Sequence, residues 1–259
     1  MKNKERIGIG SLSLLAVVIA FFMASCAGKN FQLAGIYRDK GIAYLQQGQY
    51  TSALKELLEA RKISAYDPEI RYYLGVAYHG KKMNQEAVAS FKDAISLKPD
   101  YSDAHNYLGT LYAEAESWDQ AIEQYQKAAA NILYETPASA YNNMGYAYLK
   151  KGNYQAALTS FDEAYIKDPS TNLSPLIEKN RSIALFEMGR IKQAIHHLEK
   201  SIQSAPEFPE SHYWLARCYL ELKDTEAASR EFLFILKVAP DSEFGVKAKE
   251  GLGAIDASR

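Results

Sequence analysis

The chain has 259 residues, 47% of them hydrophobic, and 30 basic side chains against 31 acidic ones give a formal charge of −1. That balance leaves no basic excess to neutralise phosphates, so a nucleic-acid partner is not suggested. Two cysteines, five histidines and the lack of H-E-x-x-H, P-loop or G-x-S-x-G patterns argue against a metal, a cofactor, a small-molecule substrate or an enzyme.

Residues 1–25 do not read as part of a fold. Lys2, Lys4 and Arg6 are followed by an apolar run from Ile7 to Ala24, ending in Met23-Ala24-Ser25-Cys26. Basic, apolar and small-residue sections in that order form a secretory signal. The alternative is an uncleaved helical anchor, because the run approaches the ~20 residues that span a bilayer. The stretch resembles the bacterial lipoprotein signal, with Met23 where leucine is usual. The resemblance implies that Cys26 is acylated and becomes the N-terminus. Ala27, where aspartate commonly signals inner-membrane retention, implies the periplasmic face of the outer membrane of a Gram-negative bacterium. Residues 26–33 form a tether of at most ~25 Å, so the first repeat should lie close to that membrane.

Residues 34–242 repeat. Gly41, Gly75 and Gly109 are 34 residues apart, and each is followed three positions on by Tyr44, Tyr78 or Tyr112. Ala53, Ala87 and Ala121 follow, then Leu57, Phe91 and Tyr125, then Ala60, Ala94 and Ala128. Gly145, Tyr148, Ala157, Phe161, Ala164 and Pro169 make a fourth copy. Ser182 and Leu185 make a degenerate fifth, and Ala216, Tyr219, Ala228, Phe232 and Pro240 a sixth. The copies span 34–67, 68–101, 102–135, 138–171, 175–208 and 209–242. Each reads as two helices and a turn, closed by proline as at Pro99. In the first copy Ala65 replaces that proline, which predicts a slightly longer second helix. The glycine lets two helices approach, and the aromatic residue three on is expected to fill the space beside it. One pair cannot bury its apolar face, so neighbours must stack.

This spacing resembles the tetratricopeptide repeat, whose pattern is L-G-x-x-Y followed by A, F, A and P. The resemblance implies an all-α, right-handed superhelical solenoid. Residues 132–137 and 169–175 interrupt the period and read as connectors. In residues 243–259, Asp241-Ser242 should cap a last helix whose Phe244, Ala248, Leu252 and Ile255 cover the final repeat.

In such arrays the first helices line a groove. Repeat position places Arg38, Tyr72, Asn106, Asn142, Lys179 and Tyr213 on one line, and Ile42, Val76, Tyr146, Ile183 and Arg217 on the next. His79, Leu149 and Phe186 fall on a third. The set suits a peptide strand or helix with apolar anchors, although some of these side chains would pack between helices instead. His105 and His212 share a repeat position and read as structural. His196 and His197 read as solvated surface, and Cys218 as a packed thiol.

Taken whole, the signal, tether and six repeats resemble the type IV pilus biogenesis and stability lipoproteins, the pilotin group PilF/PilW/Tgl. The stretch from Leu133 to Gly145 looks especially like that group. The resemblance implies an adaptor that binds the pilus secretin subunit and assists its localisation and multimer assembly. Another envelope scaffold, for β-barrel assembly or for peptidoglycan hydrolases, is the alternative.

Overall fold

The computed structural model describes residues 31–169 and 171–257. The signal segment and Cys26 lie outside them. Every regular element in the described residues is an α-helix. Helix α1 covers residues 31–46. There follow α2 (Tyr50–Ile63), α3 (Pro68–Gly80), α4 (Asn84–Leu97), α5 (Ser102–Glu114), α6 (Trp118–Ala130) and α7 (Pro137–Lys150). The rest are α8 (Tyr154–Lys167), α9 (Ser174–Glu187), α10 (Ile191–Ser204), α11 (Pro209–Glu221), α12 (Thr225–Val238) and α13 (Glu243–Ala257). The described residues fall into two compact units, divided between Ala104 and His105. In the first, α3 packs on α2 and α4; in the second, each helix from α6 to α13 packs on its sequence neighbours.

Local chemistry sets the helix ends. Asp67 accepts from the Glu69 and Ile70 amides ahead of Pro68, a side-chain cap with proline at the first helical position. Asn153, Asp224 and Ser242 cap α8, α12 and α13 in the same way. Each turn inside a pair holds one left-handed residue: Gly48, Lys82, Glu116, Gly152, Gly189 and Lys223. At the far end of α4, Lys98 is extended (φ −137°, ψ 91°), as a residue before proline must be. Helix α2 stops at the equivalent residue without a proline, so the longer helix expected there does not form. The Ser64 amide closes on the Ala60 carbonyl, and the Asp67 cap starts the next helix soon after.

In the first four pairs the core is a glycine facing a large side chain of the second helix. A Cβ on Gly75 would sit 2.7 Å from the Phe91 ring, and one on Gly109 2.7 Å from Tyr125. Gly41 faces Leu57 and Gly145 faces Phe161 in the same way. The space beside the glycine is therefore filled from the second helix. Tyr78 and its equivalents are half-buried against core clusters that include residues of the neighbouring repeat. The connector at 132–136 lifts Ile132 and Leu133 into solvent and buries Tyr134 against Ala128 and Ala140. Helix α13 does cover the last pair: Ala248 and Ile255 are buried with Ala216, Phe232 and Ile235.

Candidate partner-binding hollow

In the first unit the predicted groove residues lie on α1 and α3 and are half-buried. Arg38 donates to Glu69 at 2.7 Å. The Tyr72 ring sits 5.6 Å from Phe91 and 5.3 Å from Tyr101, edge-on or tilted. Ile42, Val76 and His79 lie on the same two helices and are partly exposed.

The second unit holds an open hollow of about 590 Å³, walled by α7, α8, α9, α11 and α13. It brings together Tyr146, Leu149, Lys179, Ile183 and Tyr213 from the predicted set. Lys179 is only 4% exposed and reaches Glu210 at 3.0 Å. Burial lowers its pKa, and the charge and hydrogen bond of Glu210 act against that shift. Above it, Lys247 donates to Glu243 at 2.6 Å and lies 4.9 Å from the Phe244 ring and 5.6 Å from the Tyr213 ring. Lys150 sits 5.3 Å over the Tyr146 ring, which meets Trp118 edge-on at 6.5 Å. Tyr146 is also one wall of a smaller hollow of about 300 Å³ with Trp118, Thr110 and Asn143. There Asn106 accepts from Asn143 at 3.2 Å.

Three of the predicted residues stand elsewhere. Asn142 is buried and accepts from Asn180 at 3.3 Å, so it belongs to the interior and not to the groove. Phe186 and Trp214 are 5.4 Å apart, and the Arg217 guanidinium lies 5.3 Å and 5.6 Å from these two rings. Arg217 and Phe186 therefore serve packing beside the hollow. Three histidines form polar crossings between helices. His105 pairs with Gln124, His197 with Glu178 and His212 with Glu231, each across nineteen residues. His197 is thus no solvated surface residue, whereas His196 is exposed. Cys218 is buried, and burial pushes its thiol up to about 12.

Phe244 and Lys247 were not foreseen as part of the hollow. They lie one turn apart on a helix whose pattern indicates capping, and only the packing of α13 on α11 brings them to the site. Among the described residues no group of three or more His, Cys, Asp or Glu could hold a metal ion. No described helix is long and apolar enough to cross a membrane. Aromatic faces with lysines and glutamates at the rim offer apolar anchoring and charge selection, the means of holding a peptide.

Tetratricopeptide-repeat models match residues 41–82, 84–132, 138–170 and 185–249. With the helix pairs above, the chain belongs to the tetratricopeptide-repeat proteins, an all-α scaffold class that binds protein partners. Among solved structures, it is similar to PilF of Pseudomonas aeruginosa, with a TM-score of 0.74 and 17% identity over 86% of this chain and 99% of that one. It is likewise similar to PilW, described as a widely conserved type IV pilus biogenesis factor, with a TM-score of 0.75 and 21% identity over 82% of this chain and 96% of that one. At such identities the likeness is one of fold. A DnaJ subfamily C member 7 homologue from Dictyostelium discoideum is 24% identical over 74% of this chain, which spans 32% of that relative's length.

Proposed function

We propose that this chain is a lipid-anchored periplasmic adaptor of the outer membrane that assists assembly of the type IV pilus secretin. The observation that carries the reading is the hollow of the second unit. It is open, aromatic and rimmed by charge, and it is built on rigid helices. Fold likeness to PilF and PilW supports the pilus assignment by analogy. A secretin subunit exposes apolar surface before its ring closes. An adaptor held by acyl chains on Cys26 would keep a subunit segment at high local concentration where assembly occurs. No covalent step is needed.

Deletion of the gene should lower the heat- and detergent-resistant secretin multimer and leave the monomer detectable. Tyr146→Asp with Lys150→Glu changes exposed groups at the hollow and should mimic the deletion while the protein still folds. Normal multimer in the deletion strain would sink the pilus reading in favour of another envelope scaffold.

A further inference from the structure

The first unit exposes large apolar side chains at one edge. Phe31 is 68% exposed, Leu33 43%, Ile36 58% and Tyr66 85%. The first three occupy the opening turns of α1. Tyr66 lies in the α2–α3 connector. These positions share an edge because α1 and α2 are antiparallel: Gly41 faces Leu57, Lys40 meets Glu56, and the chain reverses at 47–49. That register sets residues 31–36 beside the end of α2 and Tyr66. Single exposed apolar residues are ordinary. Four of them on one edge of a small unit call for a cover.

The chain itself indicates the cover. Only Ala27, Gly28, Lys29 and Asn30 separate Cys26 from Phe31, so a group on Cys26 stays within about 18 Å of the edge. The last turn of α2 adds Arg61, which suits anionic headgroups, and beside it Lys62, which is paired with Glu59 at 2.6 Å. An aromatic and aliphatic rim with basic neighbours matches the interfacial layer of a bilayer, where tyrosine ring and hydroxyl are both satisfied.

We infer that this edge is a lipid-seating surface: Phe31, Leu33, Ile36 and Tyr66 dip into the headgroup region and fix the orientation of the first unit on its membrane. The inference rests on the lipid anchor proposed for Cys26, and its test separates the two. The chain from Cys26 onward is coupled through that thiol to maleimide-phosphatidylethanolamine in vesicles of phosphatidylethanolamine and phosphatidylglycerol. Cys218 is buried and does not compete. Tryptophan is introduced singly at Ile36, at Tyr66 and, as a control, at Gln47 in the turn at the opposite end of α1.

Brominated acyl chains should quench the added fluorescence at 36 and 66, but not at 47, relative to the parent with Trp118 and Trp214 alone. Absence of quenching at both positions on vesicle-bound protein overturns the surface. So does a vesicle-free dimer, found by sedimentation, that Ile36→Asp dissociates, because the edge would then be a contact between copies. Mass spectrometry of the native protein without acyl chains would remove the anchor reading and leave the vesicle result standing.

Discussion

At the residue scale the clearest constraint is the glycine under each ring. A leucine at Gly75 or Gly109 has no room, because the first added carbon already meets Phe91 or Tyr125 at 2.7 Å. Overpacking of this kind costs ~1–3 kcal/mol, so both variants should melt earlier by differential scanning calorimetry, and unchanged midpoints would refute the crossing. The left-handed turn residues act the other way. Lys82 and Glu116 adopt φ of 61° and 55°, which costs an L-residue ~1–2 kcal/mol, partly offset by the freedom glycine has when unfolded. Lys82→Gly should therefore raise the urea midpoint slightly. Glu178 supplies the pH prediction. Burial pushes its pKa up, but the hydrogen bond from His197 and the charges of Arg181, His197 and Lys200 outweigh this and hold it below the usual 4.5. A carboxylate depressed in the folded state stabilises above its unfolded value, and that gain is lost as pH falls through the folded value. Glu178→Gln should lose about 1.5–3 kcal/mol at neutral pH, and the gap in denaturation midpoint should close in acid. The glycines and rings were legible because they recur. The polar crossings were not, because a histidine nineteen residues from a glutamate signals nothing until two helices meet.

At the element scale the helix pairs and the cap could be read from period and capping residues, since each depends on local chemistry and neighbour packing. The end of α2 could not, because the Asp67 cap that starts α3 does what proline does elsewhere. The hollow was half legible. Repeat position picks out the inner face of α7, α9 and α11. It cannot tell that α13 folds over that face, that Asn142 turns inward to Asn180, or that Lys179 sinks to Glu210. Helix α13 thus has two roles, cap and wall. Ending the chain after Ser242 should expose Phe232 and Ile235 to water. Burying one such side chain is worth about 1.5–3 kcal/mol, so the truncated protein should unfold at lower denaturant, with the α12 amides losing hydrogen-exchange protection first.

At the scale of the whole molecule, stability in a repeat array is a sum of local terms and nearest-neighbour interfaces. The described residues gather into two units, one up to Ala104 and one from His105. A defect in one unit need not be transmitted in full to the other, and two-state behaviour is then not guaranteed. The aromatic reporters separate the units: both tryptophans, Trp118 and Trp214, lie in the second. Far-ultraviolet circular dichroism weighs the helices of both units. Gly75→Leu places its strain under Phe91, wholly in the first unit. In that variant the dichroism transition should begin at lower denaturant than in the parent, while the tryptophan transition stays near its parental midpoint. Gly145→Leu strains Phe161 in the second unit and should reverse the order, shifting tryptophan fluorescence first. If both probes move together in both variants, the array unfolds as one cooperative block, and the division into two units has no energetic meaning.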